Sequence, residues 1–342
     1  MLQQTAQGKI RMTAIGPKAV RSKEMSRPWA VIALSIFAAA SRSEVNEPEE
    51  VDTSVDTLSV IEGIHGWRVE PVSLRSIFPF WYEPAEPFRV IGSIYFVGTR
   101  GLSMFFIPTS EGHILIDGGV PENAPMIAKS IRKPGYRAED ISILLNTHAH
   151  VDHSGGLAEL KVLSGAEMIA SEGDRSALEG GFLLGSEDRL DFQAPPVGVD
   201  RIIEDGEIRS LGGVSLSAYI TPGHTRGCTS WQLSVTEADR TYNVLVFCSA
   251  SVSVNQLVNP PQYPGIVEDY RRTFKRVADW RPDVFLANHP EFFDLETKRK
   301  RLEDGDPLAL VDATAFSNFI VEAENAFEDA LKKQYDKSVK ND

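Results

Sequence analysis

The apolar positions along this chain switch repeatedly between a period of two and a period near 3.6, and the switches mark its elements. From Arg89 onward, residues 89–97, 103–107 and 113–117 read as strands, the last ending at Gly118-Gly119. A helical spacing over 122–132 is followed by a strand at 141–145, a helix at 157–163 and a short strand at 167–170. Residues 179–199, rich in glycine and carrying Pro195-Pro196, read as a long loop near a site. Strands at 208–211 and 214–220 flank Gly212-Gly213 as a hairpin, and 228–233 and 244–248 are further strands. A helix over 267–280, a strand at 284–287 and an amphipathic helix over 310–333 complete the pattern. The order strands, helix, strand, helix thus occurs twice. That duplication predicts an α/β fold of four layers, an αβ/βα sandwich with two β-sheets face to face and helices outside. Residues 89–335 make a single domain, and 336–342 a tail.

The first 88 residues follow other rules. Lys9, Arg11, Lys18, Arg21, Lys23 and Arg27 precede the apolar stretch 29–40, which is too short to span a membrane. Ala38-Ala39-Ala40 supplies the small residues that signal peptidase requires, so 1–44 reads as a leader and secretory signal, with Met25 as an alternative start. The competing reading is a short buried helix. The signal implies export, hence a periplasmic or secreted protein, and no later segment is apolar enough for membrane insertion. Residues 41–58 are acidic and without apolar period, and 78–88 are aromatic and proline-rich. Residues 45–88 are expected to form an extension packing on the main domain.

Composition narrows the partners. Lys and Arg number 35 against 48 Asp and Glu, a formal charge of −13. A phosphate-binding surface needs clustered cations, so the balance argues against nucleic acid. It leaves a small anionic substrate open, because that responds to local charge. The two cysteines, Cys228 and Cys248, each sit in or beside a strand. They would pair in an oxidising compartment if those strands are neighbours; the alternative is that one is a zinc thiolate.

Residues 147–156, Thr-His-Ala-His-Val-Asp-His-Ser-Gly-Gly, carry the chemistry. His148, His150, Asp152 and His153 fall within six positions just after an apolar strand, in a chain with only seven histidines. Histidines at i and i+2 point the same way only on extended or tightly turned backbone. Imidazole and carboxylate together suit zinc. His224 and His289 each follow an apolar strand, where a rigid sheet can position a ligand. They complete two sets: His148, His150 and His224 around one ion, and Asp152, His153 and His289 around a second. Three protein ligands apiece leave a position for water, the mark of a catalytic zinc site. Asp117, at a strand end, either accepts the second N–H of a zinc-bound imidazole or stabilises the turn at Gly118-Gly119. His65 and His113 read as structural or surface residues.

Over most of residues 85–300 the chain resembles the metallo-β-lactamase superfamily, and most closely its subclass B3. The likeness rests on Gly98-Thr99, Ile114-Leu-Ile-Asp-Gly-Gly119, Leu145-Asn-Thr-His-Ala-His-Val-Asp-His153, Gly155-Gly-Leu-Ala-Glu-Leu160, Thr221-Pro-Gly-His-Thr225 and Asn288-His-Pro-Glu291. It implies two mixed β-sheets and a zinc-dependent hydrolase, but glyoxalase II, lactonases, sulfatases and nucleases share the pattern. Three features point to subclass B3. Cys248-Ser-Ala-Ser251 stands where glyoxalase II relatives place a metal-bridging aspartate. His153 occupies a position where subclass B1 lacks histidine and uses a cysteine ligand. Ser249 and Ser251 match the Ser-x-Ser or Ser-x-Thr stretch by which B3 enzymes hold the substrate carboxylate.

The resemblance therefore implies two Zn²⁺ per chain, a β-lactam as the small-molecule substrate, and zinc-activated water opening the lactam amide. Asp152 is the ligand that also orients the water as the catalytic residue, and the remaining carriers are the other five ligands and the two serines. With His153 filling the second set, Cys248 is expected to pair with Cys228. A monomer is expected. A lactonase or thioesterase would keep every ligand, and a non-catalytic zinc-binding protein is a further alternative.

Overall fold

The computed structural model describes residues 72–341. The leader and signal, the alternative start at Met25, His65 and residues 45–71 of the extension lie outside the described residues. A first sheet runs in the order β1 (Phe88–Ile91), β2 (Ile94–Phe96), β3 (Phe105–Thr109), β4 (Gly112–Ile116), β5 (Ile141–Leu145), β6 (Glu167–Ala170) and β7 (Arg201–Ile202). Pairing is antiparallel from β1 to β4 and parallel from β4 to β7. The second sheet comprises β8 (Ile208–Leu211), β9 (Val214–Ile220), β10 (Thr229–Glu237), β11 (Arg240–Phe247) and β12 (Val284–Ala287), in the order β12-β11-β10-β9-β8. Only β11 and β12 are parallel there. Both sheets are therefore mixed.

The period of two explains the layering. Ile114, Ile116, Ile143 and Leu145 face inward, in one buried cluster with Trp231, Leu233, Val244 and Val246 of the second sheet. Their neighbours Leu115 and Leu144 point outward against Ile127 and Ile131 of the helix Ala124–Arg132 and Leu157 and Leu160 of Leu157–Ser164. On the far side, Phe247 and Phe285 meet Phe316 of the long helix Ala315–Asn341 at ring distances of 5.2 Å. Helix, sheet, sheet, helix is the expected order. No helix among the described residues is long and apolar enough to cross a membrane.

Several boundaries differ from expectation. The single strand expected over 89–97 is a hairpin, β1 and β2, because Gly92 turns the chain at φ +52°. A Cβ there would also sit 2.8 Å from Val235 Cβ, so glycine fits the turn. A helix, Glu172–Gly180, runs into the start of the expected loop 179–199, which also contains a short helical turn at Leu190–Phe192. A further helix, Leu295–Glu303, was not signalled by the apolar pattern. The terminal helix begins at Ala315 instead of residue 310, since Val311 bridges Val284 at the sheet margin.

Candidate metal centre

Parallel β4 and β5 release Asp117 and residues 146–150 at the same edge of the first sheet. His150 keeps extended backbone (φ −79°, ψ 151°), and the single turn Val151–Ser154 follows it directly. This is the extended-then-turned geometry the motif requires, and it brings Asp152 and His153 back toward His148. His224 arrives from the loop after β9, and His289 from the residue pair after β12.

The first three imidazoles converge. Ring centroids of His148, His150 and His224 are 4.7, 4.6 and 4.6 Å apart, and one nitrogen from each lies within 4.8 Å of the others. The second set is tighter. His153 Nε2 is 3.2 Å from His289 Nε2 and 3.2 Å from Asp152 Oδ2, and His289 Nε2 is 3.4 Å from that oxygen. Four-coordinate zinc with bonds of ~2.0–2.1 Å places its ligand atoms about 3.3 Å apart. The two sets adjoin, for His148 also lies within 4.8 Å of Asp152 and His153. Its Nε2 is buried without a hydrogen-bond partner, an orphan that a cation would satisfy. The donor set fits a divalent metal such as zinc.

Electrostatics favour the ligating forms of the first set and of Asp152. Burial holds His148 and His224 well below the usual imidazole range and lowers His150 to about 4, so each offers a lone pair. Burial opposes ionisation of Asp152, yet adjacent His153 and its hydrogen bonds to His153 and His289 hold it well below the usual carboxylate range. Burial likewise pushes His289 down, but its hydrogen bond to Asp152, the charges of Glu291 and Asp152 and the Gly101 carbonyl together outweigh that and raise it to about 9.

Outer partners fix the rings. His224 Nδ1 donates to the Ser251 carbonyl at 2.7 Å, and His289 Nδ1 to the Gly101 carbonyl at 3.1 Å, leaving both Nε2 atoms for a metal. Tyr270 also donates to the Ser251 carbonyl, at 2.7 Å, and Asn255 donates to the His224 carbonyl at 2.8 Å. Asp117 serves mainly the loop. It accepts from Thr147 N at 2.7 Å, Thr147 Oγ1 at 2.7 Å and Asn146 Nδ2 at 3.0 Å, while His153 Nδ1 stands 3.6 Å away, beyond a hydrogen bond. Burial, against the pull of His153 and these donors, raises its carboxyl to about 6.

Cys228 and Cys248 form a disulfide with Cα atoms 5.8 Å apart, so the zinc-thiolate alternative does not hold. Ser249 is buried and Ser251 half-buried, their hydroxyl oxygens 3.3 Å apart beside His224. His113 is buried against Phe106 and Tyr136, away from the ligands, as a core residue. Over the site, the helix Val72–Ile77 places Leu74 in a small apolar cluster with Val151 and Ala194, flanked by Phe78, Trp81 and Phe192. Trp81 also lies 6.2 Å from the His289 ring. Sequence reasoning passed over Leu74, Asp174, Trp231 and Tyr270. Each looks like an ordinary core or helix residue, and only the folded contacts tie it to a ligand loop.

Two mixed sheets in an αβ/βα sandwich, with His and Asp donors gathered at one edge, define a metal-dependent hydrolase. The sequence profile of the metallo-beta-lactamase superfamily matches residues 97–289, and the chain belongs to that superfamily. Among solved structures it is similar to BJP-1, a subclass B3 metallo-beta-lactamase of Bradyrhizobium japonicum. Identity is 41%, covering 75% of this chain and 98% of that one, with a TM-score of 0.74. It is also similar to the native FEZ-1 metallo-beta-lactamase from Legionella gormanii, at 36% identity, 74% and 98% coverage and a TM-score of 0.71. Among curated proteins, the hydroxyacylglutathione hydrolase of Rhodopseudomonas palustris (strain BisB5) is 33% identical over 118 residues, 34% of this chain. The match spans 37% of that relative's length.

Proposed function

We propose that this chain hydrolyses the amide bond of β-lactam antibiotics (penicillins, cephalosporins and carbapenems) and so confers resistance to them, acting as an exported monomer with two zinc ions. The observation that carries the reading is the pair of adjoining ligand sets bordered by Ser249 and Ser251, with no carboxylate after β11. His148, His150 and His224 would hold one ion, and Asp152, His153 and His289 the other. Zinc held there supplies water whose pKa falls to about 7 and a positive charge for the lactam oxygen. Asp152 Oδ2 is engaged by His153 and His289, and its Oδ1 is the atom assigned to orient the attacking water. Ser249 and Ser251 hydroxyls donate to the substrate carboxylate, fixing the ring over that water. The apolar cover of Leu74, Trp81 and Phe192 excludes bulk solvent and receives the apolar part of the drug.

The direct test is loss of carbapenem absorbance by zinc-loaded protein, with and without a chelator. Turnover that stops on chelation is expected. Absence of turnover in a two-zinc protein would transfer the proposal to a thioester or lactone, the reading favoured by the hydroxyacylglutathione hydrolase match. A finer expectation concerns the serines. Ser251 is the more open of the two, so Ser251→Ala should raise KM for carboxylate-bearing lactams by roughly 5–10-fold, about 1 kcal/mol of a charge-assisted hydrogen bond. Ser249→Ala should raise it less. An unchanged KM in both variants removes them from the binding site.

A further inference from the structure

Outside the ligand sets, one buried carboxylate ties two of the ligand loops together. Asp174 sits in the first turn of the helix Glu172–Gly180 and is 3% exposed. Its Oδ2 accepts from Ala149 N at 3.0 Å and from Thr225 Oγ1 at 2.8 Å, and its Oδ1 accepts from Gly227 N at 2.8 Å. Ala149 lies between His148 and His150, and Thr225 follows His224. The three donors therefore come from the two loops that supply the first ligand set; Asp152 and His153 of the second set follow further along the first of these loops, and His289 comes from elsewhere.

Backbone contact reinforces the clamp. A Cβ on Gly227 would lie 2.3 Å from Asp174 N, and one on Gly173 would lie 2.7 Å from the Arg226 carbonyl. Only glycine lets the helix start approach residues 226–227 this closely. Ser171 Oγ also donates to the Gly227 carbonyl at 2.5 Å, and Thr229 N to the Thr147 carbonyl at 2.8 Å. Among the described residues no lysine or arginine is bonded to Asp174, so the three N–H and O–H donors must compensate its burial. A carboxylate is suited to that place because it accepts on every side and presents no donor of its own.

We infer that Asp174 is a positioning residue of the metal centre, setting the distance of His148 and His150 from His224 and thereby the affinity of the first ligand set for zinc. The inference rests on the metal-centre reading above. In Asp174→Asn the side chain keeps its volume, but its amide N–H₂ must face at least one of the three donors, which loses its acceptor and loosens the clamp. Removing such an outer partner typically costs ~10–100-fold in metal affinity.

The test separates the two ligand sets. Zinc affinity of the full chain is measured by chelator competition in a His289→Ala background, which leaves the first set whole, and in a His224→Ala background, which leaves the second whole. Asp174→Asn should weaken zinc roughly 10–100-fold in the first background and leave it unchanged in the second. Thr225→Val removes one donor of the three and should shift affinity in the same direction by less, so the question stays answerable if the Asn variant does not fold. Cobalt in place of zinc reports ligand geometry, and its visible spectrum should change only in the His289→Ala background. Equal weakening in both backgrounds, or none in either, overturns the inference and makes Asp174 a purely structural residue. A parent protein that binds no zinc at all defeats the metal-centre reading itself.

Discussion

Replacing Asp152 by alanine is expected to lower kcat/KM for a carbapenem by roughly 10²–10⁴-fold, or about 3–5 kcal/mol. The same change should leave the metal-free fold nearly intact. The asymmetry follows from where the carboxylate stands. Its Oδ2 contacts His153 Nε2 and His289 Nε2 at 3.2 and 3.4 Å, and the backbone around it is already fixed by the turn Val151–Ser154. Without Asp152, the largest of the influences that raise His289 to about 9 is gone, and burial is opposed only by the Glu291 charge and the Gly101 carbonyl. That imidazole is then drawn toward its neutral form, which limits the buried charge left behind. Metal content should fall from two ions to one, because the second set loses its only anionic ligand. Activity, zinc content and unfolding of the metal-free protein are measured on one preparation. If unfolding shifts as strongly as turnover, Asp152 is a structural residue and the assignment fails.

Much of this centre was legible in the chain, for a physical reason. Metal ligation demands several donors on one short stretch of extended and turned backbone, and residues 147–153 satisfy that locally. His224 and His289 were recoverable because each ends an apolar strand. The four layers were legible from alternation such as Ile114-Leu115-Ile116, which sends neighbours to opposite faces. Helix Leu295–Glu303 was not, since Leu-Glu-Thr-Lys-Arg-Lys-Arg-Leu-Glu is charged nearly all round and buries only Leu295 and Lys298. Helix Glu172–Gly180 was hidden by its glycines and its acidic first turn. Gly92 broke an apolar run that reads as one strand. Asp174 has no signature at all, because its donors lie up to 53 positions away and meet it only in three dimensions.

Trp231 shows how the scaffold and the centre share one residue. It lies fully buried in β10 between Ala218 and Val246 on the neighbouring strands, and its Nε1 donates to the Asn146 carbonyl at 3.3 Å. Asn146 begins the loop that carries His148. Trp231→Ala should cost ~3–5 kcal/mol through the cavity it opens between the sheets. That is a large share of a typical total of about 5–15 kcal/mol, and it corresponds to a melting point lower by roughly 10 °C. Trp231→Phe keeps most of the apolar volume and withdraws only the N–H, leaving the Asn146 carbonyl short of a partner at ~1–3 kcal/mol. The Phe variant should nevertheless lose turnover out of proportion to its stability, because the freed carbonyl belongs to the His148 loop. Denaturant unfolding of both variants, set beside their kcat, decides the point. Equal proportional losses in the two would reduce Trp231 to packing, whereas an excess loss in the Phe variant makes its indole N–H the tie between the second sheet and the metal centre.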